Sequence, residues 1–137
     1  MKAMKVPAAW KVLWNPQRKR GKVTVALCDS GISRHPDLVG NLVPGYNVLD
    51  HNTETTDKLG HGTVMAGILG ATINNKLAMA GVSDLVNLMP VALGPAAKQQ
   101  LVLDAFNYVI QHRAERNIKI ILMPISFVNP AKKLVDA

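Results

Sequence analysis

Two residues in this sequence combine a reactive type with an unusual setting: Asp29 and His61, 32 positions apart. His61 stands between Gly60 and Gly62 and runs on into Thr63-Val64-Met65-Ala66-Gly67. Glycine costs a helix roughly 1 kcal/mol relative to alanine, so three in eight positions imply that something comes close to the backbone. Val64, Met65, Ile68 and Leu69 fall at helical spacing, which predicts a buried helix whose first turn presents His61 at the bottom of a cleft. Asp29 ends the apolar run Val23-Thr24-Val25-Ala26-Leu27-Cys28 and is followed by Ser30-Gly31. Such a run predicts a buried parallel strand with the carboxylate at its carboxyl end, where open α/β sheets place their sites. The chemistry these residue types offer is proton transfer, since an imidazole can take or give a proton near neutral pH. The alternative is a core helix with an incidental histidine.

The segments around these residues decide between the two. Asp29-Ser30-Gly31-Ile32, His35-Pro36-Asp37-Leu38 and Gly60-His61-Gly62-Thr63-x-x-Ala66-Gly67 together resemble the subtilisin-like serine proteases (subtilases), from about Trp10 to Val128. The resemblance implies a serine endopeptidase that cleaves peptide bonds through an acyl-enzyme. Asp29 would orient His61 and stabilise its imidazolium; His61 would act as general base and then general acid. The third member of that triad is not among the four serines, Ser30, Ser33, Ser83 and Ser126. None has the G-T-S-x-A context of the family nucleophile or a G-x-S-x-G elbow. The nucleophile and its oxyanion-hole asparagine are therefore expected beyond these 137 residues.

Further positions carry over with changes. The second histidine of the family's H-G-T-H is Val64, and the substrate-pairing strand corresponds to Ser126, Phe127 and Val128, with Val128 in place of glycine and Pro124 in place of asparagine. The loop after Gly94, which helps to wall the cleft in relatives, is short and contains Pro95. Asp37 and Asn75, with the Asn74-Asn75-Lys76-Leu77 loop, resemble the family's structural calcium site, where a carboxylate, an amide oxygen and backbone carbonyls meet at one hard cation. Ala78 replaces a glycine there, and a capped turn without metal is the alternative. No other cofactor is required. His35, His51, His61, Asp37 and Asp57 show no zinc-ligand spacing.

Composition sets the frame for these motifs. A chain of 137 residues with 48% hydrophobic content suits one domain with a real core. The net charge of +7 is concentrated at the start: Lys2, Lys5, Lys11, Arg18, Lys19, Arg20 and Lys22 precede the first acid, Asp29. From Asp29 onward nine basic and nine acidic side chains cancel. With few aromatic residues among the basic ones, this pattern predicts a basic arm over residues 1–22 and no nucleic-acid partner. No apolar run reaches the ~18 residues of a membrane span, so no membrane partner is expected. Met1–Trp14 does not resemble a signal peptide. The compartment stays open, although members of the family are often secreted. The lone Cys28 reads as a small core residue.

The arm, broken by Pro7 and Pro16, is expected to anchor through Trp10, Leu13 and Trp14. Strands are predicted over Val23–Cys28, Leu42–Leu49 (at an edge), Leu85–Leu93 and Ile118–Pro124. Helices are predicted over 61–73 and 97–116, stopped at Asn74-Asn75 and Asn117, and 50–58 reads as a polar surface loop. Alternating strands and helices give a parallel, doubly wound α/β sheet. By resemblance, residues 23–137 are the N-terminal part of a subtilase catalytic domain. Peptide or protein substrates follow, with a complementary C-terminal fragment or self-association through the apolar edge Ile118–Met123. The alternative is a non-catalytic relative that binds peptides or a protein partner.

Overall fold

The structure is a computed structural model, and it describes residues 1–14, 21–127 and 132–136. Its elements are α1 (Val6–Leu13), β1 (Val23–Asp29), β2 (Tyr46–Asn47), α2 (His61–Gly70), β3 (Val86–Ala92), α3 (Gln99–His112), β4 (Ile118–Leu122) and α4 (Lys132–Val135). The four strands form one parallel sheet in the order β2-β3-β1-β4. β1 lies inside it, and the side chains of its residues alternate between two cores. Val25 and Leu27 pack with Leu88, Ala66 and Ala71 on the face covered by α2. Ala26 and Cys28 pack with Met89, Val91, Val102, Ala105 and Val109 on the face covered by α3. A strand buried on both faces needs the near-continuous apolar run seen in the sequence.

The expected second strand, Leu42–Leu49, is reduced to Tyr46–Asn47 plus a single bridge from Leu42 to Leu88. Prolines on both sides explain the gap. Leu88 directs its N–H and carbonyl to the 41–43 segment, and Ala92 directs its carbonyl to Val48. Pro90, two residues from each, therefore faces the same side and has no N–H to offer. Opposite it, Pro44 has no donor either, and Gly45 lies so close to the Pro90 carbonyl that a Cβ would overlap it.

Three helices differ from expectation. The basic arm is not irregular: α1 forms with Pro7 in its first turn, where a missing N–H is harmless. Trp10 anchors it by donating its indole N–H to the Val82 carbonyl at 2.7 Å, and Trp14 stacks on Trp10. Pro16 lies outside the described residues. α2 stops at Gly70, not Ile73, because Ala71 turns extended and Thr72 donates its N–H to the Asp37 carbonyl instead. Asn74, expected as the stop, has a left-handed backbone but lies beyond the helix end. α3 is shorter than 97–116 at both ends, and Asn117, the residue expected to end it, has a left-handed backbone.

The buried face of α2 is only partly the predicted one: Met65 and Leu69 pack against the core, half-buried, but small residues fill the rest of it. Gly62, Ala66, Gly67 and Gly70 face inward, while Val64 is 57% and Ile68 45% exposed. Small residues win because the helix lies so close to the sheet: a Cβ on Gly70 would come within 2.8 Å of Val86 Cγ2. β4 ends at Leu122 rather than Pro124, and it occupies the sheet edge with Ile120 and Ile121 exposed. Among the described residues no helix is long and apolar enough to cross a membrane.

Candidate active site

β1 delivers Asp29 at its carboxyl end, 2% exposed, and α2 begins at His61 directly beside it. His61 Nδ1 lies 2.8 Å from Asp29 Oδ1 and 2.9 Å from Oδ2. An ionised carboxylate only accepts, so Nδ1 must carry the proton and, in the neutral ring, Nε2 presents a lone pair. The Ser30 N–H also donates to Asp29 Oδ1, at 2.7 Å. These bonds hold the ring in one tautomer and leave its side chain 45% exposed.

The exposed part faces an open groove of about 340 Å³ lined by Asp29, Ser30, Leu59, His61, Gly94, Pro95, Ala97, Ile125, Ser126 and Phe127. The structure thus brings Ser126 and Phe127 to the same groove as the Asp–His pair, and the Gly94-Pro95 turn walls it. Val128 lies outside the described residues. A larger groove of about 450 Å³, between Pro44-Gly45 and Thr53–Thr56, touches neither Asp29 nor His61. Among the described residues no hydroxyl bonds to His61 Nε2. Ser30 and Ser33 direct their hydroxyls to Asp57, and Ser83 accepts from the Leu85 N–H.

Asp37 and Asn75 do meet, but as a hydrogen-bonded turn. Asn75 Nδ2 donates to Asp37 Oδ1 at 2.6 Å, and the Met79 N–H donates to Oδ2 at 3.0 Å. Asn75 Oδ1 in turn accepts from the Leu77 N–H, which fixes the amide with its nitrogen toward the carboxylate. Calcium wants six or more oxygens. A cation here would take the place of two donors and need the amide turned so that Asn75 Oδ1 faces Asp37. Among the described residues no three His, Cys, Asp or Glu side chains converge as metal ligands.

Two participants were not anticipated. Asp57, placed by its sequence in an ordinary polar loop, accepts from Ser30, Thr63, Leu59 and Gly60. Partial burial opposes its ionisation, but the bonds from Thr63, Gly60 and Ser30 outweigh that and hold its carboxyl well below the usual range. Ser30 donates its hydroxyl to Asp57 at 2.7 Å and accepts the Gly62 N–H at 3.1 Å. The only hint in the sequence is an acid four residues before the histidine. Cys28, next to Asp29, is fully buried, and burial together with the Asp29 charge pushes its thiol up to about 12.

Comparison with known proteins identifies the fold and the family. The chain is 33% identical over 89 residues to thermitase of Thermoactinomyces vulgaris, a match covering 64% of this chain and 30% of that protein. Among solved structures, a cold adapted subtilisin-like serine proteinase superposes over 85% of this chain and 40% of its own, with TM-score 0.64 and 24% identity. Fervidolysin from Fervidobacterium pennivorans superposes over 74% of this chain and 16% of its own, with TM-score 0.59 and 24% identity. These likenesses show the fold, and the chain spans less than half the length of each of these relatives. The profile of the Subtilase family matches residues 20–129, both site segments included, and the chain belongs to that family.

Proposed function

We propose that this chain supplies the proton-transfer half of a serine endopeptidase. The observation that carries the reading is His61, clamped by Asp29 through Nδ1 and open to the groove on its other side. A serine hydroxyl brought to Nε2 loses its proton to His61 as it attacks a peptide carbonyl. Asp29 stabilises the imidazolium formed, and His61 then protonates the leaving amine. The resulting acyl-enzyme is hydrolysed by water with the same groups in the same roles. The substrate backbone lies along Ser126–Phe127. The nucleophile comes from a segment outside these 137 residues; in subtilisin, removing that serine lowers turnover roughly a million-fold. That segment would also cover the outer edge of β4, which pairs with no other strand on that side among the described residues.

The test pairs the chain with the nucleophile-bearing C-terminal segment of thermitase, co-expressed. Alone, the chain should neither cleave a fluorogenic peptide nor be labelled by a fluorophosphonate probe. The pair should do both, and His61→Ala should abolish hydrolysis. Turnover unaffected by His61→Ala, or labelling of the isolated chain, would refute the assignment. A second reading, a peptide- or protein-binding module, is favoured by Pro124, which stands beside the groove where the resemblance expects asparagine. Binding of an extended peptide to the chain alone, unchanged by Asp29→Ala, would support it.

A further inference from the structure

The Asp29–His61 bond joins two segments that are far apart in sequence, and one other carboxylate spans the same gap. Asp57 Oδ1 accepts from the Ser30 hydroxyl (2.7 Å), the Leu59 N–H (2.9 Å) and the Gly60 N–H (2.8 Å). Its Oδ2 accepts from the Thr63 N–H (2.9 Å) and hydroxyl (2.7 Å). Five donors thus converge on one side chain, from the turn that follows Asp29 and from the residues on either side of His61. The surroundings repeat the link. Ser33 donates its N–H to Thr63 Oγ1 at 3.0 Å and its hydroxyl to the Asp57 carbonyl at 3.2 Å. Gly62 donates to the Ser30 hydroxyl at 3.1 Å.

We propose that Asp57 is a positioning residue for His61: it locks the Leu59-Gly60 turn and the first turn of α2 onto the Ser30 turn, so that Nδ1 meets the Asp29 carboxylate. The reasoning is geometric. His61 sits on the first residue of its helix, preceded by Gly60 in a left-handed conformation that tolerates wide backbone variation. Nothing in His61 itself restrains that turn. The Asp57 carboxylate restrains it from both sides, and the bonds to an ionised acceptor are the stronger kind. An amide in its place keeps one acceptor oxygen but turns an N–H toward donors. Asp57→Asn therefore breaks one side of the clamp while changing almost no volume. This inference rests on the Asp29–His61 reading above, and the experiment separates the two.

The measurement is imidazole NMR of the 15N-labelled chain at neutral pH. The wild type should show His61 as the Nδ1–H tautomer with a downfield, slowly exchanging Nδ1 proton. If the wild type lacks it, the Asp–His pairing itself fails. In Asp57→Asn, with far-UV CD and cooperative unfolding retained, the downfield proton should vanish or exchange at least about tenfold faster, as expected when a bond to a charged group is lost. Asp57→Glu, which restores the charge, should recover part of the signal. Trp10→Phe, which removes the α1 anchor far from the pair, should lower stability and leave the signal in place. A His61 signal unchanged in Asp57→Asn overturns the proposal. Should Asp57→Asn fail to fold, Ser30→Ala and Thr63→Val each remove one hydroxyl from the carboxylate. The signal must weaken in both, and its full retention in either overturns the proposal.

Discussion

Gly62→Ala should destabilise this protein and disturb the Asp–His pair, against the sign that helix propensity alone would give. In a helix, replacing glycine by alanine is worth about 1 kcal/mol in favour of alanine. Here the new methyl would overlap the Gly31 carbonyl oxygen and lie 3.1 Å from Asp29 Cβ and 3.2 Å from Asp29 Oδ1. The obstacle is backbone, so no rotamer change relieves it. Carbon contacts settle near 3.5–4.0 Å, which requires the first turn of α2 to retreat by roughly an ångström. Overpacking of this kind costs about 1–3 kcal/mol. Less the helix gain, the net loss is up to about 2 kcal/mol, nearer the upper end because the obstacle is backbone, and a measurable share of the 5–15 kcal/mol typical of a domain.

The comparison that makes the test sharp is Gly40→Ala. A Cβ there meets nothing nearer than Thr72 Oγ1 at 3.9 Å, and the backbone is not left-handed. That substitution should be neutral or stabilising by up to about 1 kcal/mol through the unfolded chain. Urea unfolding followed by tryptophan fluorescence gives both values. The Nδ1 proton of His61 should be lost only in Gly62→Ala. If the two variants shift stability in the same direction, or if Gly62→Ala keeps the His61 signal, the close approach of α2 to the Asp29 turn is not what the glycine serves.

Two further outcomes follow from the structure. Cys28 has its folded pKa raised to about 12, so the unfolded thiol ionises first as pH rises past ~8.5. Its neutral burial therefore supports the fold below that pH and is progressively lost between the two values; Cys28→Ala should flatten the alkaline limb of a stability–pH curve, and a thiol reagent should label Cys28 only as fast as the protein opens. The exposed edge of β4, with Ile120 and Ile121 in view, should make the isolated chain self-associate at micromolar concentration. Light scattering after size exclusion checks it, and Ile120→Lys should reduce it; a stable monomer before substitution would show that the edge is already covered.

The pair itself was legible in the sequence because its chemistry constrains residue type and setting at once: an acid ending an apolar run, and a histidine between glycines. The alternation of strands and helices was equally plain. Other features depend on neighbours that sequence does not announce. On α2, Met65 and Leu69 pack as expected, but Val64 and Ile68 were misread because large apolar residues usually mark the buried side, whereas a helix lying this close to a sheet buries its smallest ones. The break in the second strand needs Pro44 and Pro90 to come together across 46 positions. Asp57 resembles any solvated loop acid until Ser30 is seen against it. α1 was missed by treating Pro7 as a breaker, although a first turn accepts it.

The two diagnostic segments are the halves of one contact. Gly31 has a positive φ of 118°, a conformation that L side chains rarely adopt, and its carbonyl is the atom Gly62 lies against. Ser30 sends its N–H to Asp29 and its hydroxyl to Asp57, and receives the Gly62 N–H. Thr63 bonds Asp57 through both its N–H and its hydroxyl. Every residue of Asp29-Ser30-Gly31 and of His61-Gly62-Thr63 thus has a partner in the other segment or on the carboxylate between them. Val64 is the first position outside that contact, and it points to solvent. A departure from the family's second histidine there leaves the pair's geometry untouched, while a side chain on Gly31 or Gly62 would not.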